Sequence, residues 1–203
     1  PTTGQSSWTP APDNPWTTTV AGGSVTYTQD FSHPSGYAYR YTKCVTLQPR
    51  SPILTIHHHL VNTGVRPLKL THYSHNWLTL DGAPTGPAYQ VNFPFTPRWD
   101  ARGELPVEFD SQSFRYGDWS ALPPPKRKLP IRIVGCESAQ QNVISVSNTL
   151  TGARLRIAGD WAPSRMLVYA DAQHVCPESF IELDLPPGHD RTWTTSYTFF
   201  AGQ

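Results

Sequence analysis

The sequence lacks the features that mark several common classes of protein. Only 15% of its 203 residues are charged and the net charge is +1, so it has no basic surface of the kind that binds nucleic acid or an anionic membrane. No apolar run approaches the roughly 20 residues of a membrane-spanning helix. The motifs G-x-S-x-G, G-x-G-x-x-G and G-x-x-x-x-G-K-[ST] are absent. We therefore expect no nucleic acid and no membrane as partner.

Cysteine is scarce. Cys44, Cys136 and Cys176 are an odd number, so at most one disulfide can form within the chain, and their spacings match no zinc pattern. We expect buried free thiols. The chain begins with Pro1, which fits a mature secreted protein, a trimmed chain or an internal fragment. The compartment therefore stays open: cytoplasmic, or periplasmic or secreted if Pro1 follows a removed signal peptide.

Turn-forming residues and aromatic residues are plentiful. Twenty-one Pro and fourteen Gly interrupt the chain too often for long helices, and no stretch keeps a period of 3.6. Short runs rich in Thr, Val and Tyr recur between the turns, which predicts an all-β, antiparallel sandwich. We expect a single domain over residues 1–203, with an irregular arm over 1–23 and a long ordered loop over 96–130. Strands are predicted at Ser24–Asp30, Tyr37–Leu47, Ile53–Asn62, Leu68–Leu80, Tyr89–Phe95, Ile131–Gly135, Asn142–Asn148, Arg154–Gly159, Met166–Tyr169, Phe180–Leu185 and Thr192–Phe200.

Alternation along the predicted strands assigns their faces. In the predicted strand Ile53–Asn62, one side carries apolar residues and one histidine, namely Leu54, Ile56, His58 and Leu60. The other side carries Thr55, His57 and His59. In the last strand a packed side with Trp193, Tyr197 and Phe199 opposes a side of hydroxyl residues. A sandwich with broad polar faces suits a carbohydrate ligand.

Histidine placement is unusual, because five of the eight histidines fall between His57 and His75. His57 and His59 are two apart on a strand and could chelate a metal with His75 or His72 as third ligand. No carboxylate or cysteine stands at a convincing fourth position, so we predict no metal and expect polar-face or hydrogen-bonded histidines instead.

The segment Thr71–Trp77 places Tyr73, His75 and Trp77 on one face of an extended chain. A histidine flanked by aromatic rings suits a sugar, because an apolar sugar face stacks on a ring while the imidazole meets an oxygen. The same pattern also fits a cross-strand aromatic ladder that includes a histidine.

Glu178 follows Pro177 at the predicted entrance of a strand. In that position it is either held rigidly in a cleft or exposed as a turn carboxylate. A catalytic carboxylate pair would need a second acid, and spacing does not choose among Asp160, Asp171 and Glu182.

Taken together, these segments resemble the galactose mutarotase-like (aldose 1-epimerase-like) superfamily, and more closely the bacterial epimerase-like proteins of uncharacterised specificity. The resemblance covers roughly Tyr27 to Phe200. It rests on an ordered series of short segments: Leu54-Thr55-Ile56 leading to Leu60-Val61-Asn62-Thr63-Gly64, Tyr73-Ser74-His75-Asn76-Trp77, Gly86-Pro87-Ala88-Tyr89 leading to Phe93-Pro94-Phe95, Cys176-Pro177-Glu178-Ser179-Phe180-Ile181, Pro187-Gly188, Trp193 and Tyr197-Thr198-Phe199.

The resemblance implies an enzyme that interconverts sugar anomers without a cofactor. By position His75 matches the family's acid and Glu178 its base, and the pKa of Glu178 would need to be raised by partial burial. A mono- or oligosaccharide is the implied ligand. The side chains expected to contact it are Tyr73, Asn76, Trp77, His72, His57, His59 and Trp119.

Departures from the family keep alternatives open. Compared with the family, we expect the chain to be shortened at its N-terminus, so that a sheet edge would need cover from a missing segment or from self-association. The family's second histidine and its sugar-binding aspartate have no clear match. A glycan lyase or hydrolase on the same fold would use Tyr73, Tyr116 or Asp118. A non-catalytic carbohydrate-binding module would present Trp77, Trp99 and Trp119.

Overall fold

Antiparallel strands make up nearly all the regular structure of the computed structural model, which describes residues 15–101, 106–122 and 128–202. The described strands are β1 Thr17–Ala21, β2 Ser24–Ser32, β3 Ala38–Leu47, β4 Ile53–Asn62, β5 Leu68–His72, β6 Tyr89–Asn92, β7 Arg98–Ala101, β8 Val107–Phe109, β9 Ser113–Tyr116, β10 Lys128–Val134, β11 Val143–Asn148, β12 Arg154–Gly159, β13 Arg165–Asp171, β14 Val175–Leu185 and β15 Asp190–Phe200. Short 3₁₀ helices lie at Trp119–Ala121 and Ala139–Gln141. Within these residues, no helix has the length and apolar character needed to cross a bilayer.

The strands form two sheets. The larger sheet has ten strands in the order β1-β2-β3-β4-β15-β12-β11-β6-β9-β8, and the smaller has five in the order β5-β14-β13-β10-β7. Two antiparallel sheets packed face to face over an apolar core form a sandwich. The predicted all-β sandwich is therefore confirmed. The single domain over residues 1–203 stays a prediction.

The core lies between the sheets and follows the predicted alternation in part. In β4, His58 and Leu60 are buried while His57 is exposed. Thr55, predicted on the polar side, is buried, and Leu54 and Ile56 are only half-buried. In β15, Trp193 and Tyr197 are buried. Phe199, predicted on the packed side, is exposed because it lies near the end of the strand and of the sheet's covered area. A second apolar cluster fills the other half of the sandwich with Tyr89, Val91, Phe114, Leu129, Ile131, Val146 and Val168.

The irregular arm predicted over residues 1–23 is wrong from Thr17 onward, and residues 1–14 lie outside the described chain. β1 pairs with β2 through a two-residue turn at Gly22 and Gly23, whose φ angles are +56° and +80°. Glycine reaches positive φ without strain, and such turns join tight hairpins. β1 is an edge of the larger sheet and all five of its residues are exposed. The predicted cover for a sheet edge stays a prediction.

The long loop predicted over residues 96–130 is also wrong in part. The segment contributes β7, β8 and β9 and the start of β10, while residues 102–105 and 123–127 lie outside the described chain. β7 to β9 have three or four residues each, too few for alternation to show. Phe114, Tyr116 and Trp119 are buried in the core. The expectation that aromatic residues order this segment agrees with that burial.

Two predicted strand boundaries in the smaller sheet are wrong. β5 ends at His72, and the chain beyond it forms only an isolated bridge between Leu78 and Val175. β14 begins at Val175, five residues before the predicted start at Phe180. Pro177 predicts a strand boundary, because proline cannot donate to the backbone hydrogen bonds of a sheet. In the structure Pro177 lies inside β14. Glu178 therefore lies within a strand and not at its entrance.

Candidate functional site

The outer face of the smaller sheet carries His75 and Glu178. In β14, Cys176, Glu178 and Phe180 alternate with residues that point into the sandwich, and β13 presents Tyr169, Leu167 and Arg165 opposite them. The segment after β5 runs beside the start of β14 and alternates exposed and half-buried residues from Tyr73 to Leu80. This alternation brings His75 to the same face as Glu178.

The two side chains contact each other. His75 Nε2 lies 3.5 Å from Glu178 Oε1. The His75 side chain is 44% exposed and that of Glu178 only 5%, so the imidazole is open to solvent and the carboxyl group lies beneath it. The 3.5 Å contact leaves no gap as wide as a sugar between the two groups, so a substrate would have to reach them from the exposed side of the imidazole.

Cys176 completes the group. Its Sγ lies 3.1 Å from His75 Nδ1 and 3.4 Å from Glu178 Oε1, with the thiol donating to the carboxylate. Burial and the neighbouring carboxylate raise the pKa of this thiol far above its usual value, so it keeps its proton. Cys176 was expected as a buried free thiol within the segment that carries the family resemblance, and its contact with His75 was not predicted. All three cysteines are free, with Cys176 buried and the others half-buried.

Burial also raises the pKa of Glu178. The hydrogen bond from Cys176 and the charges of His75 and Arg165 act in the opposite direction, with smaller effect. The rise agrees with the expectation that partial burial tunes this carboxyl group. A glutamate whose pKa lies closer to neutrality exchanges protons more readily in both directions.

Aromatic side chains flank the pair along the exposed face. Tyr73 stacks on Phe180 with ring centroids 4.4 Å apart, and Trp77 lies 4.9 Å from the His75 ring. Tyr73 is 42% exposed and Trp77 is 49% exposed. The predicted shared face of Tyr73, His75 and Trp77 is therefore present. Exposed rings on both sides of an imidazole provide apolar surfaces against which a sugar ring can stack.

Asn76 points the other way, into the sandwich. Its Nδ2 donates to the carbonyl oxygen of Pro177 at 2.7 Å, and its Oδ1 accepts from the Tyr197 hydroxyl at 2.9 Å. The predicted sugar contact from Asn76 is therefore not supported by its orientation. The residue instead fixes the backbone beside both His75 and Glu178.

Four further residues predicted to bind substrate do not join the pair. His72 is half-buried in the interior, where its ring lies 4.9 Å from that of Trp193. Trp119 is 4% exposed and packs in the core. His57 and His59 lie on the outer face of the larger sheet, where they contact Thr194 at 3.0 Å and Asp190 at 2.8 Å. The sandwich core separates that face from the pair, because alternation places the two outer faces on opposite sides.

Among the residues that the structure describes, one group of side chains could hold a metal ion. Ligand atoms of His75, Cys176 and Glu178 lie within 4.8 Å of one another, and these residue types together suit a borderline divalent ion such as zinc. The predicted alternative of His57 and His59 already has hydrogen-bond partners. The sequence did not indicate the triad because His75 and Cys176 are about a hundred residues apart.

The comparisons with known proteins identify the fold. No family model and no curated protein sequence matches the chain. A galactose mutarotase related enzyme from Lactobacillus acidophilus is 12% identical with a TM-score of 0.63, covering 93% of this chain and 72% of its own. A GalM/aldose epimerase homologue from C. elegans is 14% identical with a TM-score of 0.69, covering 93% and 69%. A galactose mutarotase-like protein from Lactobacillus casei is 12% identical with a TM-score of 0.59, covering 91% and 73%.

These similarities define the class of structure. The chain has the galactose mutarotase-like sandwich, and the resemblance found in its sequence is confirmed at the level of the fold. Identities of 12 to 14% show a shared architecture and leave activity to be argued from the site.

Proposed function

We propose that the protein interconverts the anomers of a sugar by general acid–base ring opening, with His75 as acid and Glu178 as base. The observation that carries the proposal is the 3.5 Å contact between His75 Nε2 and Glu178 Oε1 on an outer face flanked by exposed rings. The two oxygens on an anomeric carbon are roughly 2.3 Å apart, so an adjacent acid and base can reach both of them at hydrogen-bond distance.

The mechanism follows from the chemistry of the two groups. Glu178, as carboxylate, takes the proton from the anomeric hydroxyl while His75, as imidazolium, protonates the ring oxygen. The bond between the anomeric carbon and the ring oxygen breaks, and the resulting aldehyde turns about its bond to C2. Ring closure with the roles reversed gives the other anomer. The raised pKa of Glu178 supports this exchange of protonation states.

The positions of the residues named for a glycan lyase or hydrolase and for a carbohydrate-binding module bear on these two alternatives. Tyr116, a suspect for a lyase, is 1% exposed and buried in the core. Asp118 is held by hydrogen bonds to the backbone N–H and hydroxyl of Ser120. The aromatic platform of a binding module loses Trp119, which is buried. Trp99, the third ring of that platform, is half-buried. Tyr73, also a suspect for a lyase, and Trp77 are exposed beside His75.

The test is anomeric exchange measured by NMR over a panel of monosaccharides. We expect the catalysed exchange rate to fall about 10²–10⁴-fold in His75→Gln and in Glu178→Gln, since each variant removes one proton-transfer group. His57→Gln, on the opposite outer face, is the matched control and should keep the wild-type rate.

Three outcomes would contradict the proposal. Exchange that is unchanged in both site variants would exclude the pair as acid and base. Loss of exchange on treatment with a chelator would show that a metal at His75, Cys176 and Glu178 performs the chemistry instead. Release of unsaturated or reducing ends from a polysaccharide panel, without anomeric exchange, would favour the lyase or hydrolase.

A further inference from the structure

A separate cavity opens on the smaller sheet between β10 and β13. Its volume is about 160 Å³, and its lining includes two arginines, Arg132 and Arg165, together with Ser164, residues 133–136, Pro163 and Met166. Both arginines are exposed side chains on strands whose alternate residues are buried. The cavity therefore has a positively charged wall at the surface of the sheet.

The strand register places this cavity beside the acid–base pair. Arg165 is directly opposite Phe180, which lies two residues beyond Glu178 on β14. Arg132 is opposite Leu167, and Leu167 is opposite Glu178, so Arg132 is two strands from the base on the same face. Neighbouring strands are about 4.8 Å apart, so this spacing is about 10 Å, which one hexose with a substituent can span.

The arginines are available to a ligand. Arg165 lies 3.9 Å over the Phe180 ring, a contact that orients the guanidinium group through its flat face and does not use its N–H groups. Within residues 15–101, 106–122 and 128–202, neither Arg132 nor Arg165 forms an ion pair.

Two carboxylates lie near the arginines and could pair with the guanidinium groups in place of a ligand. Asp100 is opposite Arg132 in the pairing of β10 with β7. Glu182 accepts from the Thr71 hydroxyl at 3.0 and 2.8 Å and from Ser164 at a longer 3.4 Å. The Ser164 hydroxyl also donates to the carbonyl oxygen of Phe180 at 3.4 Å, so both of its contacts are long and a ligand oxyanion can compete with them.

We propose that this cavity binds an oxyanion substituent of the sugar whose anomeric centre lies at His75 and Glu178. The substituent is a phosphate, sulfate or carboxylate, since a planar guanidinium pairs with each of these through two parallel hydrogen bonds. The inference rests on the proposed function, because it names the class of substrate for that same site. An arginine pair with a nearby hydroxyl is the chemistry that recognises an oxyanion in preference to a neutral hydroxymethyl group.

The first experiment measures the anion alone. Inorganic phosphate, inorganic sulfate and acetate are titrated in turn into the wild-type protein at constant ionic strength, and binding is followed by calorimetry and by the NMR signals of the arginine Nε–H groups. We expect saturable binding of at least one anion, and an affinity lower by roughly 10-fold or more in Arg132→Gln and in Arg165→Gln. Arg156→Gln, an exposed arginine on the larger sheet, is the matched control.

The second experiment compares sugars. The ratio of kcat/KM for a hexose phosphate or a uronic acid to that for the neutral hexose should fall roughly 10-fold or more in Arg132→Gln. If anions bind but no sugar is exchanged, the proposed function fails while the cavity keeps its ligand class. If sugars are exchanged and neither arginine variant changes the ratio or the anion affinity, the inference fails while the proposed function stands. If Arg156→Gln lowers the anion affinity as much as Arg132→Gln and Arg165→Gln do, the anions are attracted by charge without a specific site. That result overturns the inference.

Discussion

The thiol of Cys176 touches both members of the proposed acid–base pair. Its sulfur lies 3.1 Å from His75 Nδ1 and its hydrogen points to Glu178 Oε1 at 3.4 Å. A group that contacts one imidazole nitrogen helps to decide which nitrogen carries the proton. We therefore regard Cys176 as a positioning residue that leaves Nε2 of His75 directed toward Glu178.

Replacing Cys176 separates this role from simple packing. Removing a hydrogen bond that is donated to a carboxylate raises the pKa of that carboxyl group. In Cys176→Ala we expect the acidic limb of the kcat/KM profile, where Glu178 must lose its proton, to move to higher pH, with a lower maximal rate. Cys176→Ser keeps a donor and is the matched control, with a limb close to that of wild type.

The measurements for Cys176 are the pH profile of anomeric exchange and the ¹⁵N shifts of His75, which report the protonated ring nitrogen. An acidic limb that stays in place in Cys176→Ala would show that the thiol only fills space.

Single residues also show what the sequence can say about the site. His75 with Tyr73 and Trp77 follows from alternation, because period-two spacing gives three residues one face. The pairing with Glu178 depended on the family resemblance, since no local rule brings together residues about a hundred positions apart. The sugar contacts predicted for Asn76, His72 and Trp119 do not fit their positions in the interior. Residue type does not reveal whether a polar or aromatic side chain points into the core.

At the scale of elements, β4, β5 and β15 bury a cluster of rings in one end of the sandwich. His58 lies between Tyr41, whose hydroxyl is 2.6 Å from its Nδ1, and Trp193, whose ring is stacked at 4.9 Å. His72 packs edge-on against both His58 and Trp193. Burial lowers the pKa of His58 to about 3 and that of His72 to about 4. Both rings are therefore neutral near pH 7.

This cluster predicts a loss of stability in mild acid. The folded pKa of His58 lies below the value of 6.5 expected in the unfolded chain, so its contribution is complete above pH 6.5 and is lost as the pH falls toward 3. At pH 5 the loss for His58 alone is about 2 kcal/mol. We expect the drop in unfolding free energy between pH 7 and pH 5 to shrink by a similar amount in His58→Phe.

Urea unfolding at the two pH values measures this difference. His57→Gln, the exposed neighbour on the same strand, is the control and should keep the wild-type drop. Equal drops in wild type and His58→Phe would mean that other groups govern the acid sensitivity.

The same elements explain how far the fold could be predicted. β4 and β12 match their predicted bounds because alternation over six or more residues is unambiguous. β7, β8 and β9 were missed because strands this short are specified by tertiary pairing and carry little local signal. β1 had a readable signal, a run of β-branched residues before Gly22-Gly23, that was outweighed by the surrounding proline and serine.

For the molecule as a whole, Asn76 connects the two layers of the sandwich. Its side chain joins Tyr197 of β15 in the larger sheet to Pro177 of β14 in the smaller sheet. We expect Asn76→Ala to lower the unfolding free energy by about 2 kcal/mol, because two hydrogen bonds are lost and a half-buried carbonyl is left unpaired. Tyr197→Phe removes one of the bonds and should cost about 1 kcal/mol.

Unfolding in urea and anomeric exchange are measured on both variants. Since Asn76, and not Tyr197, donates to the carbonyl oxygen of Pro177 beside Glu178, exchange should fall further in Asn76→Ala than in Tyr197→Phe. If the two substitutions lower the exchange rate equally, the hydrogen bond between Tyr197 and Asn76 accounts for the whole effect, and the bond from Asn76 to Pro177 adds nothing.

The bridge through Asn76 has a consequence for how the protein would respond to mechanical stress. Asn76 is the neighbour of His75 in the chain, and the carbonyl that it holds belongs to the neighbour of Glu178. His75 and Glu178 both lie on the smaller sheet, so a movement of the larger sheet reaches them through Tyr197 and Asn76. A slight sliding of the layers would therefore shift the backbone beside the acid and the base while every strand stayed paired. If the protein acts as proposed, hydrostatic pressure or a stiff matrix that shifts the layers would change the turnover rate. This change would come before any spectroscopic sign of unfolding.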